Sequence, residues 1–148
     1  MKEFLQRFFE YNYQISQSLD TRFQSYHYQL DGEIIRLANH LINAHQIWIE
    51  RIEGNITLRN PWEDFPIESF PSRNEALYTK TLEILKLVDL DAKISFHSFS
   101  GAAFEKRVSD MLIHIINHAT YHRGQLASMM RKSGLEPVPS DYIHWAQA

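Results

Sequence analysis

The sequence predicts an all-α chain, a four-helix bundle in a single domain spanning 1–148. Three observations carry that expectation. The 148 residues hold only five glycines and five prolines, and three of the prolines (Pro61, Pro66, Pro71) crowd into one stretch, leaving long uninterrupted segments on either side. Within those segments apolar residues recur at helical rather than alternating spacing. Apolar residues make up 44% and charged residues 22%, the balance of a chain that buries a core and not of a disordered one. The aromatics are too many and too bulky for the narrow seam of a heptad coiled coil, the main helical competitor.

Helix one runs from Lys2 to about Asp20, with Phe4, Leu5, Phe8, Phe9, Ile15 and Leu19 on a wide apolar face. Asp31 caps helix two, which passes through Ile34, Leu37, Leu41, Ala44 and Trp48 until Gly54 stops it. The proline-broken segment 55–71 still carries Trp62, Phe65, Ile67 and Phe70, so it reads as a long connection packed on the protein. Ser72 caps helix three, Asn74 to Val88, with Leu77, Leu82, Ile84 and Leu85 inward. Short alternation around Ile94 and Phe96, then Gly101 and Phe104, predicts a small β-hairpin or extended loop before helix four. Ser109 or Asp110 caps that last helix, Met111 to about Lys132, and Gly134 ends it. The tail, with two prolines and the aromatics Tyr142 and Trp145, is expected to fold back on the bundle. A short link after helix one and long ones after helices two and three permit helices two and three to run parallel.

Composition then narrows the functional classes. Net charge is −3, the pI is near 6.2, and the 15 Lys and Arg are spread along the chain, which argues against a nucleic-acid surface. No apolar run approaches the ~20 residues that span a bilayer, and the N-terminal stretch interleaves charge with aromatics, so a cytoplasmic protein with no membrane partner is expected. Zero cysteines remove disulfides, thiolate metal sites and a thiol nucleophile together. Eight histidines remain, and any metal chemistry must be carried by imidazole and carboxylate.

Three of the eight, His114, His118 and His122, follow at four-residue spacing in helix four. Each step drifts only about 40° around the axis, so neighbours stack on one face, beside Ile115, Ala119, Leu126 and Met129. Two imidazoles one turn apart can reach a single metal ion at ~2.0–2.1 Å if another helix supplies a third. Helix two offers His40 and His45. Wheel position favours His45, close to Leu41 and Trp48, whereas His40 falls about 100° from Leu41, at the flank. Periodicity leaves that choice open. The string from His118 to His122 lacks the glutamate of the H-E-x-x-H zincin motif, which disfavours a metalloprotease. Other assignments are modest: Arg123 in a salt bridge to a carboxylate or orienting an anionic substrate, Gln125 bonded to an imidazole or a neighbouring helix, Tyr121 and Trp48 in packing, Asp141 as a turn cap beside His144. His27 and His97 receive no role.

The run Asn117-His118-Ala119-Thr120-Tyr121-His122-Arg123-Gly124-Gln125, His40 eight residues before Trp48, and Gly134 followed by Pro139, Asp141 and Trp145 resemble the signature of the DinB/YfiT-like superfamily. The resemblance covers nearly the whole chain, and its H-R-G-Q element is fairly specific. It implies a four-helix bundle, commonly homodimeric, with a three-histidine site for a divalent metal such as zinc or nickel. Carried over residue by residue, it selects His40, His118 and His122 as ligands, leaving His45 and His114 as outer partners or structural residues. One departure is the stretch between helices one and two, TRFQSYHYQLDGE, which is shorter than usual where substrate contacts could be made.

The implied chemistry is activation of a small thiol or of water, that is, a metal-dependent thiol S-transferase or a hydrolase acting on a small molecule. With no cysteine in the chain, such a thiol arrives as a substrate. The alternative is a non-catalytic, homodimeric stress-response protein whose metal is structural or sensing; if it is structural, a fourth protein ligand such as His45 or His114 closes the site.

Overall fold

The computed structural model describes residues 1–146. It contains helices α1 (Lys2–Ser25), α2 (Gly32–Ile52), α3 (Phe70–Leu87), α4 (Val108–Lys132) and a final turn α5 (Tyr142–Trp145), with a hairpin of strands β1 (Lys93–His97) and β2 (Ala103–Arg107) between α3 and α4. The four-helix bundle and its hairpin are as expected. No helix among the described residues is long and apolar enough to cross a membrane.

Side-chain pairs fix the helix directions. Lys2 meets Lys86, Tyr13 stacks on Tyr78 and Phe23 meets Phe70, so α1 and α3 are antiparallel. Asp31 meets Ser133, His40 meets His118 and Trp48 meets His114, so α2 and α4 are antiparallel as well. Asn39 and Asn43 hold Arg73, and further along His45 meets Thr81 and Glu53 meets Lys80. Helices α2 and α3 therefore run parallel, which the long connection between them allows. The core between the four helices is built on Phe9, Phe23, Phe70, Ile34, Met111, Leu112, Leu126 and Met130.

Two helix starts differ from the sequence expectation. Helix α3 begins at Phe70, not Asn74, because Pro71 sits in the first turn, where its missing N–H costs no hydrogen bond, after a 3-10 turn over Ile67–Ser69. Helix α4 begins at Val108, not Met111, since β2 runs straight into it: the Val108 and Ser109 amides donate to the carbonyls of Ala92 and Leu90 at 2.9 and 3.0 Å, replacing a side-chain cap. Helix α1 also continues to Ser25, past Asp20, whose carboxylate accepts from Gln24 and Tyr28. At the other end of α4, Gly134 takes φ +75, the left-handed conformation that stops a helix at little cost only with glycine. The tail folds back as expected. Tyr142 stacks on Phe8 with ring centroids 4.6 Å apart, Tyr11 donates to the Ser140 carbonyl, and the Trp145 indole donates to Gln14 at 2.7 Å.

Candidate metal centre

His40, His118 and His122 come together where α2 faces α4. One ring nitrogen of each lies within 4.8 Å of the others, and among the described residues no fourth His, Asp or Glu joins the group. The Nε2 of His118 is 3.3 Å from His40 Nε2 and 3.0 Å from His122 Nε2. Four-residue spacing brings His118 and His122 onto one face of α4, and the antiparallel α2 supplies His40 from across the interface.

The outer nitrogens determine what the inner ones can do. His40 Nδ1–H donates to the Pro61 carbonyl at 2.8 Å, and His122 Nδ1–H donates to Gln125 Oε1 at 2.7 Å. A neutral imidazole carries one proton, so these bonds leave both Nε2 atoms as bare lone pairs aimed at His118. His118 can give its own Nε2 proton to only one of them. The other Nε2 then faces His118 with no proton between them. A divalent cation would satisfy all three Nε2 lone pairs at once, and nitrogens 3.0 and 3.3 Å apart are close enough to share one ion. The donor set fits a metal that takes imidazole, and the Pro61 carbonyl and Gln125 are the kind of outer partners that orient ligating histidines.

Electrostatics favour the neutral form of His118 and His40. Burial lowers the His118 pKa to about 4, with the neighbouring His122, His40 and His114 adding to the effect. Burial also lowers that of His40, against the Pro61 hydrogen bond, which raises it. Neutral imidazole is the form that ligates. Trp62 stacks on His40 at 3.8 Å and 8°, and the Arg36 guanidinium lies 5.0 Å from the Trp62 ring centroid.

His45 does not join the group. The Thr81 hydroxyl gives its proton to the Leu77 carbonyl, so its oxygen accepts from His45 Nε2–H at 2.9 Å, and Phe9 packs beside the ring. Burial takes its pKa to about 3, and its role is structural, between α2, α3 and α1. His114 stands one turn outside the cluster, its ring 4.6 Å from Trp48 and 5.6 Å from His118. Gln125 does bond an imidazole. Arg123, however, finds no carboxylate among the described residues: it is 5% exposed and donates to Asn12 Oδ1 at 2.7 Å and to Thr120 Oγ1 at 3.1 Å, because its position faces α1 inside the bundle. Tyr121 is 63% exposed and is not a packing residue, whereas Trp48 packs against Phe96 and His114. Asp141 and His144 are an exposed pair 3.9 Å apart at the start of α5. The sequence reading missed Pro61 and Trp62 as parts of the site. They lie in a connection without periodicity, and the only available signal was an aromatic beside a proline.

A cavity of about 370 Å³ opens on His40 and His118, walled by Trp48 and the hairpin. The cluster thus brings three imidazoles together beside open space, with no fourth His, Asp or Glu among the described residues to close it.

Comparison with known proteins bears on the family and the fold. A sequence model of the DinB family matches residues 21–148. Protein DinB of Bacillus subtilis strain 168 is 25% identical over 96% of this chain and 93% of its own length. The uncharacterised protein YizA of the same organism is 25% identical over 94% of each. The crystal structure of a DinB-like protein from Bacillus cereus ATCC 10987 superposes with a TM-score of 0.56 at 23% identity, covering 74% of this chain and 73% of that one, a likeness of fold. With the family match running through α2, the hairpin and the histidine helix α4, the chain belongs to the DinB family.

Proposed function

We propose that the protein is a divalent-metal-dependent enzyme acting on a small molecule, either a thiol S-transferase or a hydrolase, with His40, His118 and His122 holding zinc or nickel. The observation that carries this reading is the convergence of three imidazole Nε2 atoms beside a cavity, with no fourth protein ligand among the described residues. Structural zinc is usually closed by four protein ligands, whereas three leave a position for water or substrate. An ion held by three neutral imidazoles keeps its double charge, and when bound it supplies Lewis acidity that lowers the pKa of water toward ~7 or holds a thiol as thiolate.

The chain's own part is orientation and exclusion of water. The Pro61 carbonyl and Gln125 lock the His40 and His122 tautomers, and Trp62 covers the His40 ring. In thiol transfer the sulfur–carbon bond forms as the bond from carbon to its leaving group breaks, and the thiol proton departs with the leaving group or to solvent. The absence of cysteine means that the sulfur belongs to the incoming molecule. A structural metal in a non-catalytic protein would call for a fourth ligand; His45 is already committed to Thr81, and His114 does not join the group. A cytoplasmic location, where low-molecular-weight thiols are kept reduced, and a homodimeric assembly complete the proposal, the latter checked by light scattering after size-exclusion chromatography.

The test is turnover by the zinc- or nickel-loaded protein with a panel of small thiols against a halogenated fluorogenic electrophile, and with activated esters. Metal-dependent turnover lost in His122→Ala, with the helical circular dichroism retained, is the expected result. Turnover unchanged by metal removal, or none in a fully loaded protein with any thiol or ester, overturns the enzymatic reading.

A further inference from the structure

The cavity beside the histidine cluster carries a charge that the cluster does not explain. Arg51, on α2, is 8% exposed, yet no carboxylate pairs with it among the described residues. Its guanidinium lies instead over aromatic rings, 4.7 Å from the Trp48 centroid, 4.8 Å from Phe96 and 5.7 Å from Phe99. Aromatic faces attract a cation but accept no hydrogen bond in the plane of the guanidinium, whose five donors are suited to a carboxylate, sulfonate or phosphate. Taking a charge this far out of water without a counter-ion is costly unless an anion arrives to complete it.

The surroundings say what kind of molecule would carry that anion. Arg51 lines the 370 Å³ cavity together with His40 and His118, and also a neighbouring cavity of about 460 Å³, the two sharing Phe96 and Phe99 as a common wall. Phe99 and Phe104 are 59% and 42% exposed, an unusual display of large apolar surface for a hairpin in water. Lys106, exposed on β2, brings a second cation to the same cavity, with its ammonium 6.0 Å from the Phe104 ring. One space therefore offers aromatic walls, two cations and an edge formed by two of the three clustered histidines.

We propose that this cavity binds the substrate, and that the substrate is a small molecule with an aromatic or otherwise flat apolar body and one acidic group, held by Arg51 and assisted by Lys106. This deepens the reading of the site as one acting on small molecules, and rests on it for the word substrate. The anion-binding cavity itself does not depend on the metal. Phe96, Phe99 and Phe104 hold the body, Arg51 fixes the acid, and the opposite end of the molecule lies toward His40 and His118. A neutral apolar molecule loses the Arg51 contact, and a small hydrophilic anion loses the aromatic walls.

The experiment uses metal-free protein and two fluorescent probes of similar shape, the anionic 8-anilinonaphthalene-1-sulfonate and the neutral N-phenyl-1-naphthylamine. Saturable one-to-one binding of the anionic probe is expected. Arg51→Met and Lys106→Glu are each expected to weaken it at least about tenfold while changing the neutral probe's affinity less than about twofold. If Arg51→Met melts before it can be titrated, Lys106→Glu, on an exposed strand position, decides alone. Unsaturable anionic binding, or equal changes for both probes, or no change in the titrated variants, overturns the proposal. Because no metal is present, that failure is distinct from failure of the metal reading, which would appear as absent metal uptake with the probe result intact.

Discussion

Replacing Gln125 by Leu isolates the effect of orienting a ligand from that of supplying one. The substitution removes the acceptor of the 2.7 Å bond from His122 Nδ1–H but leaves all three clustered imidazoles in place. His122 is then free to rotate, and its proton is no longer held on Nδ1, so Nε2 faces the cluster as a lone pair only part of the time. Loss of such an outer partner typically weakens metal binding about 10–100-fold, which is ~1.4–2.7 kcal/mol. Near 150 residues, each kcal/mol moves the melting temperature by roughly 2–4 °C. Under a fixed excess of zinc, the zinc-bound Gln125→Leu protein should therefore melt about 3–11 °C below the zinc-bound parent, while the two metal-free proteins melt together. Competition with a chelating dye gives the affinity directly, and scanning calorimetry gives both melts. Gln125→Glu, which keeps an acceptor and adds a negative charge to it, should retain or tighten binding. Equal zinc affinity in Gln125→Leu and the parent would refute the reasoning, because it would mean that His122 needs no partner to present Nε2.

Further predictions concern the metal-free protein. His45 and His118 have pKa values lowered by burial to about 3 and about 4, against an unfolded value of 6.5. The stability they contribute is thus complete above pH ~6.5 and is lost as pH falls toward about 4 for His118 and about 3 for His45, with a slope of up to ~1.4 kcal/mol per pH unit for each. Urea midpoints measured from pH 7 to pH 4.5 should fall, and should fall less steeply in His45→Gln. A flat profile would contradict the neutral, buried assignment. Arg123→Met should cost about 1–3 kcal/mol by stranding buried Asn12, and Asn12→Leu in the same chain should recover much of that loss, a coupling that a double-mutant cycle in urea reads out. Leu112→Ala, at a fully buried position between the helices, should cost about 2–5 kcal/mol without altering metal stoichiometry.

Legibility in the sequence followed periodicity. The histidines of α4 could be placed on one face because four-residue spacing leaves little freedom, and Gly134 marked that helix's end because its left-handed φ suits glycine alone. Helix α2 was harder to read. All residues from Leu37 to Ala44 are buried, since α3 packs on one side and α4 on the other, so a wheel could not decide which of His40 and His45 faces α4. Only the family resemblance separated them, and the structure puts His40 with the α4 pair and His45 against α3. Pro71 looked like a barrier to α3 although the first turn of a helix accepts proline. Pro61 and Trp62 are legible as part of a packed connection but not as part of the site, because a connection's contacts depend on tertiary placement. For Arg123 the sequence suggests a salt bridge to a carboxylate or an anionic substrate, because arginine is rarely buried without a charge partner, yet Asn12 on α1 receives it inside the bundle.

Metal content in single-histidine variants tests the central claim most directly. Each protein is stripped, loaded with zinc, desalted and assayed by elemental analysis, with circular dichroism melts to show that it is folded. The account predicts one ion per chain in the parent, His114→Ala and His45→Gln, and less than about a tenth of an ion in His40→Ala, His118→Ala and His122→Ala. Full occupancy in folded His40→Ala, or its loss in His114→Ala or His45→Gln alone, would contradict it, as would an empty parent protein.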